Sequence, residues 1–223
     1  RPAGGTGVQV PPQAQHGAEL SMTALGWRLA GVRCRVGTRE LWPAGLDATL
    51  APGVTWVGGD EGSGKTTLLR LLAGTCPPSE GRLAPLADAA PRVAWMDPAQ
   101  PQDDRLTVRD ALAQALQPFD GGDAAALARL LPELDLTPHL DKALYMLSTG
   151  SRRKVGMAAT LASGADALLF DQPFMALDRP SERAIVAALA ALAADGGRLA
   201  VVADYQPPPG LKLSGQIDLD RCG

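Results

Sequence analysis

Four things are scarce in this chain of 223 residues: cysteine, histidine, clustered positive charge and long apolar runs. The three cysteines, Cys34, Cys76 and Cys222, are few, odd in number and far apart. That spacing speaks against a disulfide framework and against a zinc site, and it fits a reducing compartment. The two histidines, His16 and His139, each stand alone, so neither reads as a metal ligand. Lys and Arg total 21 against 24 Asp and Glu, a net charge of −3, and no basic run stands out. The electrostatic footprint of a nucleic-acid partner is therefore missing. No apolar run approaches the ~20 residues of a membrane span. The longest, from Ile185 to Ala194, reads as an Ala-rich helix, so any membrane role is expected to come through a partner chain. Residues 1–21 are rich in Gly, Pro and Gln and lack the apolar centre of a signal peptide. They are expected to be a disordered leader, with Met22 the natural start and residues 22–223 one domain.

What is present is a strong local pattern. Gly59 to Thr66 fits G-x-x-x-x-G-K-[ST], the phosphate-binding loop. Val54 to Val57 ahead of it reads as a short buried strand, and Leu68 to Gly74 behind it as a helix ending at glycine. Glycines (Gly59, Gly62, Gly64) let backbone wrap an anion, and successive N–H groups through Ser63 to Thr67 point at it from a helix N-terminus. Lys65 is expected to reach the β- and γ-phosphates, and the Thr66 hydroxyl to ligate Mg²⁺. The predicted cofactors are ATP and Mg²⁺.

Around this loop the periodicity alternates between strand and helix. Trp27, Leu29, Val32, Cys34 and Val36 mark a half-exposed strand, and Leu46 to Leu50 a second one. Short strands are expected at Arg82-Leu83 and from Arg92 to Met96. Thr107 is placed to cap a helix from Val108 to Leu116, and Asp123 to open one running to Leu131. The stretch of about 106–150, broken by Pro118, Pro132 and Pro138, reads as a small helical subdomain. A helix from Arg152 to Ala162 comes next. Ala167 to Asp171 is a wholly apolar run closed by Asp, as a strand covered on both faces requires. A carboxylate at such a strand's C-terminal tip lies where open α/β sheets bind ligands. A helix from Ser181, a buried strand from Leu199 to Ala203 and an edge strand from Gln216 to Leu219 complete a doubly wound α/β core.

Three further stretches, in order, narrow the class. Leu147-Ser148-Thr149-Gly150-Ser151 resembles the LSGGQ signature of ATP-binding cassette (ABC) ATPases. Met175-Ala176-Leu177-Asp178 resembles their D-loop, and Gln100 their Q-loop glutamine. The resemblance runs from about Trp27 to Leu219. Within the family, the wording around Gln100-Pro101, Phe170 to Phe174 and Tyr205 to Pro207 is most similar to the ATPase subunit of the haem exporter of cytochrome c maturation. The resemblance implies a P-loop fold with a small antiparallel β layer and an inserted helical subdomain. It also implies a head-to-tail homodimer or heterodimer in which ATP lies between one subunit's phosphate loop and the other's signature. Ser148, Gly150 and Asp178 would then hold nucleotide, while Thr66, Gln100 and Asp171 would hold metal. A multi-span permease would be the partner, with this chain on the inner face of the membrane.

The departures from the family pattern carry information of their own. After the Asp171 strand tip the family has Glu, and here stands Gln172, whose amide orients a water but cannot take its proton. The family's switch histidine should fall at Ala203, Asp204 or Tyr205, and none is His. The adenine-stacking aromatic should fall near Val36, and Trp42 is the nearest substitute. Thr149 replaces a signature glycine, and Glu61 adds a carboxylate to the loop. Together these predict Mg-ATP binding with slow hydrolysis in a transporter's energy-coupling subunit. The alternative is a regulatory ATP-dependent dimeriser, or the inactive half of a heterodimer.

Overall fold

The computed structural model describes residues 25–95 and 103–222. The leader, Met22, His16 and Gln100 lie outside the described residues, as does the end of the strand expected to reach Met96. The chain forms β1 (Trp27–Val36), β2 (Arg39–Leu50), β3 (Gly53–Gly58), α1 (Lys65–Leu72), β4 (Glu80–Pro85) and β5 (Val93–Trp95). It continues with α2 (Val108–Leu116), α3 (Ala124–Glu133), α4 (Thr149–Ala162) and β6 (Ala167–Asp171). The last elements are α5 (Arg179–Asp195), β7 (Leu199–Ala203) and β8 (Gly215–Asp218).

Two sheets result. One is antiparallel, in the order β2-β1-β4; the other runs β5-β6-β7-β3-β8 with all pairings parallel. The apolar runs of β6 and β7 explain the second sheet. Successive side chains of a strand point to opposite faces, and here both faces are covered. Leu168, Phe170, Ala200 and Val202 enter a core shared with Leu112, Leu130, Val155, Ala158, Ile185 and Leu189 of α2 to α5. Ala167, Leu169, Val201 and Ala203 face the other way, into a core shared with Trp27, Leu29, Leu50 and Leu68. The helices between 108 and 133 thus bury their apolar sides in the same core as α4 and α5.

The helix starts obey cap chemistry, in which a side-chain oxygen satisfies an orphan N–H of the first turn. Thr107 and Asp123 cap α2 and α3 as expected, accepting from Asp110 N and Ala126 N at 3.1 and 2.9 Å. Two helices begin earlier than the sequence suggests. Ser148 caps α4 through Ser151 N at 3.1 Å, so the helix starts at Thr149 instead of Arg152. Asp178 caps α5 through Ser181 N at 2.8 Å, so Ser181 lies within the first turn instead of starting the helix.

The second strand also differs from expectation: it begins at Arg39, not Leu46. A bulge hides its first half from the sequence pattern. Cys34 pairs with Leu41 while Val32 pairs with Leu46, so Trp42 to Gly45 stand opposite Arg33 alone. A bulge tolerates Pro43, which cannot donate to a ladder, and it breaks the alternation that sequence reading relies on.

Candidate nucleotide site

The parallel register builds the site. Val57 of β3 pairs with Ala203 of β7, and Ala203 pairs with Asp171 of β6. Three strand tips therefore end level, and the segments leaving them meet: the phosphate loop after β3, Gln172 after β6, and Asp204-Tyr205 after β7.

The loop wraps back to start α1 at Lys65, with Gly64 as its cap in the left-handed region at φ 103°. A Cβ at Gly64 would come within 2.9 Å of the Trp42 ring, so only glycine fits. Trp42 is 2% exposed, and its indole N–H donates to Ser63 O at 2.9 Å. This corrects the expectation that Trp42 stands in for the adenine-stacking aromatic: the bulge turns it inward, beneath the loop. Val36, at the expected position, is more than half exposed and carries no ring.

A cavity of about 540 Å³ opens over the loop, lined among others by Val36, Arg39, Lys65, Thr66, Gln172 and Tyr205. Gly62, Gly64 and Thr67 line it too. Lys65 is 5% exposed, and its Nζ donates to the carbonyls of Gly59 and Asp60 at 2.5 and 2.9 Å. The same Nζ lies 4.3 Å from the centroid of the Tyr205 ring. Thr66 Oγ1 donates to Asp171 Oδ2 at 2.6 Å, bringing together a hydroxyl and a carboxylate that stand 105 residues apart. Two hard oxygen donors in contact suit Mg²⁺, so the side chains present fit the expected metal.

Gln172 holds a left-handed backbone at φ 48°, uncommon for a side-chain-bearing residue. Its N–H donates to Ala203 O at 2.8 Å, and its carbonyl accepts from Arg153 Nη1 at 2.6 Å. The backbone of Gln172 is thus held by α4 as well as by β7. Of the three positions where a switch histidine was expected, Tyr205 alone lines the cavity. Ala203 is buried in β7. The Asp204 carboxylate is pushed up by burial, opposed by N–H groups of Tyr205 and Phe174 and by nearby Lys65, while Asp171 adds to the rise.

The residues expected from the signature and the D-loop stand elsewhere. Ser148, Gly150 and Asp178 do not line this cavity. A Cβ on Gly150 would meet the Ala176 carbonyl oxygen at 2.6 Å, so this glycine is required by close packing against the loop after β6. Asp178 accepts from Lys154 Nζ at 2.5 Å and from Ser181 N. The Lys154 hydrogen bond, then those from Ser181, hold its carboxyl well below the usual carboxylate range. Sequence reading missed the Arg153, Lys154 and Tyr205 contacts, which no motif announces.

A sequence model of the family described as ABC transporter matches residues 45–175, more than half of the chain. The chain belongs to the ABC transporter family. It is an ABC ATP-binding domain, and the family's activity is ATP hydrolysis. It is 34% identical over 178 residues to the cytochrome c biogenesis ATP-binding export protein CcmA of Sphingopyxis alaskensis, covering 79% of this chain and 89% of that protein. The protein of the same name from Roseobacter denitrificans is 33% identical, covering 69% and 72%. Among solved structures, an ABC transporter ATP-binding protein from Pyrococcus furiosus superposes with a TM-score of 0.69 at 19% identity, covering 88% of this chain and 98% of that one. That likeness establishes the ABC ATPase fold. ABC ATP-binding subunits work with membrane permeases. Among the described residues of this one, no helix is long and apolar enough to cross a membrane.

Proposed function

We propose that this chain is the energy-coupling subunit of an ABC transporter, and that it binds Mg-ATP and turns it over slowly. The observation that carries the reading is that Lys65, Thr66 and Gln172 line one cavity while Thr66 bonds Asp171 at the tip of β6. Thr66 and Asp171 would hold Mg²⁺, which when bound neutralises phosphate charge. Lys65 would release the Gly59 and Asp60 carbonyls to take the phosphates. Ser63, Gly64 and Thr67 add backbone donors from the loop and first turn. Gln100, matching the family's Q-loop residue, would complete the metal and water contacts. Gln172 can orient a water but offers no base, and loss of a positioned base is worth about 10²–10⁴ in rate. Of Ala203, Asp204 and Tyr205, the three positions offered for the switch histidine, none carries an imidazole and Tyr205 lines the cavity.

The signature residues Ser148 and Gly150, standing outside this chain's own cavity, suit service to a second subunit's nucleotide in a head-to-tail dimer. The helices within about 106–150 would form the subdomain beside which a permease docks on the inner membrane face. The two CcmA relatives support haem export in cytochrome c biogenesis as the transport task. The alternative, an inactive half or ATP-dependent dimeriser, draws its support from Gln172.

The test is Mg-ATP stabilisation of the purified chain against Lys65→Ala. A ligand at 100 times its Kd stabilises by about 2.7 kcal/mol. A clear rise in Tm is expected for the parent chain and none for Lys65→Ala, with the apo fold intact. Equal stabilisation of both sinks the site.

A further inference from the structure

The turn at the end of the edge strand β8 brings a carboxylate to the phosphate loop. Asp220 accepts the N–H of Asp60 with both oxygens, Oδ2 at 2.9 Å and Oδ1 at 3.1 Å, across 160 residues of sequence. The Asp60 residue is a hub. Its carbonyl oxygen accepts from Lys65 Nζ at 2.9 Å and from Ser63 N at 3.1 Å. The Gly59 carbonyl, on the other side of the Asp60 N–H in the same peptide unit, also accepts from Lys65 Nζ. Asp220 is therefore one peptide away from the lysine on which phosphate binding depends.

The turn itself is anchored. Leu219 is 2% exposed in the core beneath β1 and β2. Asp220 N donates to Asp218 Oδ1 at 3.2 Å, and Asp218 pairs with Gly58 at the end of β3. A carboxylate–amide bond is charge-assisted and about twice as strong as a neutral one. Its charge, however, opposes the anion that the loop would receive. A residue that only closed the β8 turn would not reach across to the loop, and a residue selected to attract phosphate would not be acidic.

We propose that Asp220 is a positioning residue of the nucleotide site: through the Asp60 peptide it holds the phosphate loop in its binding shape and so sets affinity for the nucleotide polyphosphate. The inference rests on the nucleotide-binding reading above. It separates two roles of one side chain, the hydrogen bond that shapes the loop and the charge that works against the ligand.

The experiment titrates the full chain and its Asp220→Ala, Asp220→Asn and Lys65→Ala variants with Mg-ATP and Mg-ADP, well below their melting temperatures, and monitors amide exchange at Asp60. Asp220→Ala removes a bond to a charged acceptor. It should weaken both nucleotides alike by roughly tenfold and speed Asp60 exchange by a similar factor. Asp220→Asn keeps an acceptor and drops the charge. It should bind as tightly as the parent or more so, with the gain largest at low salt. Parent-like binding by Asp220→Ala overturns the proposal, as does an Asp220→Asn variant as weak as Asp220→Ala. Should Asp220→Ala fail to fold, Asp220→Asn still decides, since weaker binding by that variant than by the parent refutes the shaping role. Absence of binding by the parent chain, matched by Lys65→Ala, removes the nucleotide reading and this inference together. Binding lost in Lys65→Ala but intact in Asp220→Ala removes this inference alone.

Discussion

Two residues set the expected chemistry. In the proposal above, Gln172 supplies an amide where the resemblance expects a carboxylate, and Tyr205 a phenol ring at one of the three positions where it expects an imidazole. Both line the cavity beside Lys65. Gln172→Glu should raise phosphate release by about tenfold or more if the missing base is the main defect. If the missing histidine dominates, that change alone should do little, and the Gln172→Glu, Tyr205→His pair should be far more than additive, as for groups that act as one catalytic unit. Brisk hydrolysis by the parent chain, abolished by Lys65→Ala, would show that another group activates the water. A third residue titrates. Asp178 has a folded pKa held below its unfolded value, first by Lys154. Its contribution to stability is therefore full above the ordinary Asp pKa of about 3.9 and drains as pH falls below it. Half exposure of the side chain keeps the effect small. In acid titrations of Tm, Asp178→Asn should flatten part of the decline below about pH 4, and an unchanged slope would remove the pair from the account.

At the scale of elements, α4 is joined to the loop after β6 by Arg153 on the Gln172 carbonyl and the Met175 sulfur, Lys154 on Asp178, and Gly150 against Ala176. Replacing glycine by alanine inside a helix ordinarily stabilises by about 1 kcal/mol. Gly150→Ala should instead lower stability, because its Cβ would sit 2.6 Å from a carbonyl oxygen that neither partner can move cheaply. A thermal melt reads the sign directly. These contacts also mark the limit of what was legible in the sequence. Period and composition located β3, β6 and β7, whose apolar runs need no partner to be recognised. Thr107 and Asp123 announced their helices because capping is local. The loop glycines, Lys65, Thr66 and Asp171 were legible because their chemistry is tied to a fixed spacing and a strand tip. The first half of β2 was not, since its bulge destroys the alternation, and Trp42 was misassigned for the same reason. Arg153 and Asp220 are ordinary residues in sequence, and Tyr205 was one of three positions with nothing to choose among them. Only tertiary packing, of α4 for Arg153 and of the segments leaving β7 and β8 for the others, brings them to the site.

For the whole molecule, the proposed slow turnover has a visible consequence in assembly. With Mg-ATP, light scattering should show a dimer that persists, and Gln172→Glu should shorten its lifetime. A chain that stays monomeric with nucleotide and without permease would argue against ATP as the adhesive between halves. The strand order carries a different kind of consequence. In space β3 lies between β7 and β8, both of which come after it by about 140 residues or more. The β2-β1-β4 sheet, by contrast, draws its strands from residues 27–85 and can zip while the rest is still being made. At a ribosomal pace of about 5–20 residues per second, the strand that feeds the phosphate loop emerges and then waits roughly 7–28 s for its neighbours. Its Val54 and Val57, fully buried at the end, are bare throughout that interval. The strand that precedes the motif is therefore made early and paired late, and the nucleotide site takes shape among the last events of synthesis.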